Sequence, residues 1–234
     1  MKSYTLDNRL MSAASFVRQG AVFADIGTDH AHLPIFLLKE GKIKRAVLAD
    51  INEGPLASAA RNAESEGVSH LTELVLTDGA AALSGRGITD YAICGMGGEL
   101  IARIISSAPH LKAEGVRLIL IPMSRQATLR TELAEMGFSI LEERYTKSSN
   151  KYYVCMLAEY TGNVRPLTEW EAELGLIPDD NGGRVEYIGY LKARLSSREK
   201  ALCGRASGTA EYAAREEIVL MLKKRISEME ELLK

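Results

Sequence analysis

The stretch Ala24-Asp25-Ile26-Gly27-Thr28-Asp29-His30-Ala31-His32-Leu33-Pro34 decides the fold. It follows Val22 and Phe23, so an apolar run ends on an acid and breaks at a glycine. That is the carboxyl end of a strand entering a loop. Further apolar or β-branched runs follow at 46–49, 74–76, 91–94, 116–121, 139–142 and 152–157, separated by Ala- and Leu-rich helical stretches. Alternation at this spacing predicts βαβ units and a parallel sheet. The last two runs are joined only by the polar residues 147–151, too few for a crossover helix. They are expected to form an antiparallel hairpin.

The helix signals agree. Pro55 suits the first turn of a helix reaching Glu66, with Gly67 as its terminator. Ser124 precedes a helix over 125–136, and Gly137 closes it. Upstream, Leu6, Leu10, Ala13, Phe16 and Val17 share a helical spacing and predict an N-terminal helical arm. Downstream, 161–183 carries Pro166, Pro178, Gly182, Gly183 and five acids, and reads as a linker with one short helix around Trp170. Two long helices follow. Ile188, Leu191, Leu195 and Leu202, then Tyr212, Val219, Leu222, Ile226, Met229 and Leu233, keep heptad spacing. They predict an antiparallel, coiled-coil-like hairpin turning near Gly204–Gly208. The expected division is 1–160 for the sheet domain with its arm, 161–183 for the linker and 184–234 for the hairpin.

Composition sets the bounds. The chain has 234 residues, 46% of them hydrophobic and 26% charged, which excludes collagen-like, disordered and disulfide-built classes. No apolar run approaches the roughly 20 residues of a membrane span. Residues 1–15 lack the apolar stretch of a signal peptide. Three cysteines, Cys94, Cys155 and Cys203, are too few and scattered for a disulfide framework. His30 and His32 have no third ligand at metal spacing, so no metal is expected. A soluble protein of the reducing cytoplasm, with a monomer as its expected state, is the simplest reading. The net charge of −2 does not by itself announce a nucleic-acid partner.

Ligands of open α/β sheets bind at the carboxyl ends of the strands. Those ends carry Asp25-Ile26-Gly27-Thr28-Asp29-His30, then Asp50-Ile51, then Thr77-Asp78-Gly79, then Cys94-Gly95-Met96-Gly97-Gly98. Asp50 lies 23 residues beyond Gly27, a spacing that suits an acid on a ribose diol. The first loop has one glycine, and Asp29 stands where a pyrophosphate would need close backbone approach. That argues against NAD, FAD and ATP. S-adenosylmethionine has ribose and adenine without phosphate, and two cationic groups for which Asp25 and Asp29 are apt neighbours. Asp78 is placed to accept from an adenine amino group.

The combination of NRLMSAASFV (8–17), ADIGTDHAHLP (24–34), LADIN-x-GPLASAARN (48–62) and ICGMGGELI (93–101) resembles the bacterial tRNA (adenine(22)-N1)-methyltransferase family. The resemblance spans about residues 5–160. It implies a class I methyltransferase Rossmann-like sheet ending in an antiparallel pair, with a C-terminal helical appendage. It implies S-adenosylmethionine as donor and N1 of an adenine in the tRNA D-arm as acceptor. Carried over, the cofactor positions are Asp25, Ile26, Gly27, Asp29, His30, Asp50, Ile51, Asp78, Gly79, Cys94, Gly95 and Met96.

Adenine N1 keeps a free lone pair at neutral pH, so catalysis needs placement more than a base. Asp29 is the expected stabiliser of the cationic product, and the Gly97 and Gly98 carbonyls the expected acceptors for the base's amino group. Residues 184–205 carry six basic against two acidic residues. Arg194, Arg198 and Arg205 share a helix face and form a candidate phosphate-tracking stripe, with Arg9 and Arg18 on the arm as further contacts. The alternatives are a non-catalytic RNA-binding protein on the same fold, a small-molecule methyltransferase and, least, a nicotinamide oxidoreductase.

Overall fold

The computed structural model describes residues 5–202 and 210–234. Seven strands form one sheet: β1 (Ala21–Ile26), β2 (Ile43–Asp50), β3 (Thr72–Leu76), β4 (Asp90–Cys94), β5 (Arg117–Ile121), β6 (Phe138–Ser148) and β7 (Lys151–Tyr160). Their order is β3-β2-β1-β4-β5-β7-β6. The first five are parallel, and β7 runs antiparallel to both β5 and β6. Every expected strand run overlaps an observed strand. The chain reverses direction of travel across the sheet between β1 and β4, so the crevice above their carboxyl ends is the switch point where ligands seat.

Helices cover both faces. Helices α1 (Asn8–Phe16), α2 (His32–Lys39) and α3 (Glu53–Ser65) bury Phe16, Leu33, Ile35 and Leu37 against Phe23, Leu48 and Ile119. On the opposite face, α4 (Gly98–Ser106) and α5 (Gln126–Glu135) bury Ile101, Ile105, Leu129 and Leu133 against Ile26, Ile93 and Leu120. Both sides of β1 and β4 are therefore buried, which is why those strands read as near-continuous apolar runs. The arm is the expected helix, and the Asp7 carboxylate caps it by accepting from the Leu10 N–H at 2.8 Å. Helices α3 and α5 end two residues before Gly67 and Gly137, as expected.

After β7 the chain forms α6 (Glu169–Leu174), α7 (Asn181–Leu202) and α8 (Ala210–Glu231). A capping box at Thr168 and Glu171 starts α6. Helices α7 and α8 lie antiparallel, with Lys192 on Glu230 at 2.6 Å and Lys223 on Glu199 at 2.9 Å. Ile188, Leu191, Val219, Leu222, Ile226 and Met229 are buried where the heptad reading puts them. The expected turn near Gly204–Gly208 lies outside the described residues. The pair also docks on the sheet, because Tyr187 and Tyr190 of α7 pack their rings, tilted, against Tyr145 of β6 at centroid distances of 4.8 and 4.9 Å. Gly189 lies between them, and any Cβ there would sit 2.4 Å from the Tyr152 ring. That close approach accounts for a glycine in mid-helix, where it otherwise costs about 1 kcal/mol.

Residues 161–183 are more than a spacer. Ala172, Glu173 and Leu174 are buried. A buried network ties this stretch to the sheet domain. Glu143 of β6 accepts from Arg130 Nε at 2.7 Å, from the Tyr145 hydroxyl at 2.5 Å and from the Leu176 N–H at 2.8 Å. Arg130 Nη1 donates to the Ala172 carbonyl at 2.8 Å. Among the described residues, no helix is long and apolar enough to cross a membrane.

Candidate active site

The strand ends of β1, β2 and β3 and the start of α4 enclose a cleft of about 150 Å³. It is lined by Ile26, Gly27, Asp50, Ile51, Asp78, Gly79 and Met96 from the expected set, together with Thr77, Leu100, Arg103 and Ile104. Gly27 has φ +77°, a left-handed conformation that turns the chain at the end of β1. A Cβ there would fall 2.2 Å from Met96 Cε, so the thioether lies directly over the glycine. Asp50 uses one carboxylate oxygen to accept from the Asn52 N–H at 2.8 Å. The other is left for a ligand. Ile51 and Leu100 are exposed apolar side chains at the rim, where a flat aromatic ring could lie.

Asp25 lies beneath this cleft, 9% exposed. Burial pushes its carboxyl up to about 6; the Thr28 hydroxyl opposes the shift and the charge of Asp50 adds to it. The consequence for stability has a definite sign. The folded state holds the extra proton between pH 4 and 6, so this contribution is complete below about pH 4 and is lost as pH rises through 6. Its size is on the order of 3 kcal/mol. A cationic ligand above Asp25 would favour the ionised form. Burial likewise pushes the Cys94 thiol up, with the Asp25 charge adding to it, so Cys94 is no nucleophile.

The structure corrects several expectations. Asp25, Asp29, His30, Cys94 and Gly95 fall outside the lining of the cleft, Asp25 lying buried at the end of β1 next to the lining residue Ile26. The Asp29 carboxylate is exposed and faces His30 Nε2 at 3.4 Å, while His30 Nδ1 bonds Ser58 Oγ at 3.1 Å. The Gly97 carbonyl already accepts from the Ile101 N–H at 3.0 Å. Gly98 is the first residue of α4, and a Cβ on it would lie 2.3 Å from the Arg125 carbonyl oxygen. The two glycines serve the close approach of the 122–125 loop, whose Ser124 carbonyl accepts from the Gly98 N–H at 2.8 Å. Arg18 is at the opposite, amino end of the strands. Its guanidinium is held by Asp90 Oδ1 at 2.5 Å and by the carbonyls of Thr89 and Gly115, which removes it from the candidate RNA contacts.

Arg9, by contrast, is at the carboxyl end. Its Nη1 lies 3.8 Å from Met123 Sδ and its guanidinium 5.7 Å from the Tyr153 ring centre. Arg194 and Arg198 do not form a free stripe. Both grip Glu173, at 2.5 Å and 2.8 Å. Burial alone would push the Glu173 carboxyl up, but hydrogen bonds from Arg198 and the charges of both arginines hold it below the usual range. Arg205 lies outside the described residues. Thr77 belongs to the strand end that carries Asp78, whereas Arg103 and Ile104 lie in the second turn of α4, beyond the strand-end motifs. No group of three or more metal-ligating side chains occurs among the described residues.

A parallel sheet ended by an antiparallel pair, with acids at successive strand ends lining one cleft, is the architecture of a class I methyltransferase. A family model described as a methyltransferase domain matches residues 6–156. The tRNA (adenine(22)-N(1))-methyltransferase of Bacillus subtilis (strain 168) is 31% identical over 159 residues, 68% of this chain and 67% of that protein. A Streptococcus pneumoniae protein, a candidate tRNA (m1A22) methyltransferase crystallised with S-adenosyl-L-methionine, is 31% identical with a TM-score of 0.76, covering 98% of this chain and all of that one. M. capricolum TrmK, solved with S-adenosyl-homocysteine, is 25% identical with a TM-score of 0.78 over 95% of this chain and 98% of that one. The chain belongs to the tRNA (adenine(22)-N1)-methyltransferase family.

Proposed function

We infer that the protein transfers a methyl group from S-adenosylmethionine to N1 of adenine 22 of tRNA. The observation that carries this is the cleft above β1, β2 and β3, where the Asp50 and Asp78 carboxylates and the apolar Ile51 and Leu100 together suit a ribose and an adenine. The residues fit the cofactor. Asp50 would hold the ribose diol with its free oxygen, Asp78 the adenine amino group, and Ile51 and Leu100 the ring faces. Asp25 would meet the cationic end. When bound, the cofactor supplies an electrophilic methyl on a sulfonium. The chain's part is to hold the base in line with it and to exclude water. The N1 edge pairs in a duplex, so the base must be splayed from its stem. Arg9, backed by Tyr153 and Met123, is placed to hold the RNA backbone beside that base. Asp29, exposed in the loop after β1, remains the proposed carboxylate for the cationic product. We read the protein as a monomer, since α7 packs its apolar face on its own β6 and β7, and as cytoplasmic because its proposed substrate is tRNA.

The test is a transfer assay with labelled donor and unmodified tRNA transcripts. Label should enter the wild-type transcript and not one carrying guanine at position 22. Bound cofactor without transfer to any tRNA would return the protein to an RNA-binding or small-molecule role.

The buried Asp25 makes a second expectation. Its ionised fraction rises about tenfold from pH 5 to 7 for a pKa near 6. Affinity for S-adenosylmethionine should rise by a similar factor across that range, measured by calorimetry. Asp25→Asn should flatten the profile. The same slope in the variant would show that another group is titrating.

A further inference from the structure

A second cleft, of about 220 Å³, opens between the first turn of α5 and the C-terminal part of α7. Arg125, Arg194 and Arg198 line it, with the hydroxyl residues Thr128 and Ser197, and no acid is among its described lining residues. Glu173 stands behind it, 2% exposed. Its one carboxylate is shared by two arginines, so the wall keeps a net positive charge. The sharing also fixes the guanidinium planes. Arg194 donates to Glu173 and to Gln126 Oε1 at 2.8 Å, yet its Nε is buried without a partner. Arg125 is widely exposed, and its nearest acid, Glu99, is 3.5 Å away and equally exposed. An exposed pair of that kind contributes little.

The place matters as much as the charge. Arg125 ends the 122–125 loop, the same loop that contacts Met96 and Gly98 beside the methyl-donor cleft. The Met123 N–H donates to the Met96 carbonyl at 2.8 Å, and Arg125's own carbonyl lies against Gly98. One loop thus joins the two clefts.

We propose that this arginine cleft seats a phosphodiester of the tRNA close to the target nucleotide. The proposal rests on the tRNA methyltransferase reading above. Planar guanidinium forks and hydroxyls are the groups that bind phosphate oxygens. The contact carries no sequence information and sets register, so the hairpin helps place the RNA through α7's inner side rather than along an outer stripe.

Two variants test it without touching the buried Glu173. Arg125→Gln removes an exposed cation. Ser197→Asp places a negative charge on the exposed lip of the cleft, with Ser197→Asn as its neutral control. Both should weaken tRNA binding in a mobility-shift assay and raise KM for tRNA about tenfold. For Arg125→Gln, the dependence of log affinity on log salt should be shallower by about one. Stabilisation by S-adenosylhomocysteine should match the wild type, which shows that the fold and donor cleft are intact. Unchanged tRNA affinity and salt slope in both variants would overturn the proposal. If the wild type binds tRNA but methylates none, the family reading of activity fails, and the same binding measurement still decides the cleft. Stabilisation of the wild type by inorganic phosphate, lost in Ser197→Asp while tRNA affinity is unmoved, would assign the cleft to a free anion and overturn the RNA seat.

Discussion

Replacing Glu143 by alanine should destabilise the protein by about 3–5 kcal/mol in urea unfolding, the largest stability change of any single substitution argued from this structure. The side chain is fully buried, and its carboxylate accepts from Arg130, Tyr145 and the Leu176 N–H. Removing it leaves the Arg130 guanidinium, 2% exposed, with only the Ala172 carbonyl. An unpaired charge in that setting costs far more than the pair contributed. The paired replacement of Arg130 by methionine and Glu143 by leucine should recover most of the loss, since apolar groups of similar volume need no partners. A loss below 1 kcal/mol for Glu143→Ala would mean that water reaches the site and solvates Arg130.

Asp50→Ala should weaken S-adenosylhomocysteine binding by about 100-fold, from two charge-assisted hydrogen bonds to a ribose diol at roughly 1.5–3 kcal/mol each, less what water returns. Calorimetry at fixed pH reads this directly. Asp50→Asn keeps an oxygen for the Asn52 N–H and so preserves the loop. It should fall between the two. Wild-type affinity in Asp50→Ala would show that the ribose is held elsewhere, and the cleft assignment would have to move.

The sheet was legible because its central strands are buried on both faces and therefore spell themselves as apolar runs. Strand β6 was legible only over residues 139–142. Its second half points Glu143 and Tyr145 inward, and a strand whose inward side chains are polar shows no apolar pattern. The strand-end acids were legible from position, Asp50 by its spacing from Gly27 and Asp78 by following the third apolar run, and both line one cleft. What the sequence did not reveal was pairing across distance. Arg18 meets Asp90 72 residues away, and Arg194 and Arg198 meet Glu173 across the α6–α7 segment. A run of arginines announces charge, but its partners are known only once the chain has folded. The same holds for Gly97 and Gly98, which read as an open platform until the 122–125 loop is seen against them.

Tyr152 seated on Gly189 works like a pawl in a ratchet wheel. Only one residue of α7 lacks a side chain at that height, so the helix cannot slip along β7 by a turn without driving a Cβ into the ring. From Gly189 to Leu202 the helix runs a further 13 residues, roughly 20 Å at 1.5 Å per residue. Slippage being barred, helix length becomes a ruler. The span from Gly189 to the end of α7 is set by counting residues, and inserting one heptad just after Gly189 would lengthen it by about 10 Å, carrying Arg194 and Arg198 off Glu173 while β7 and the donor cleft stay where they are.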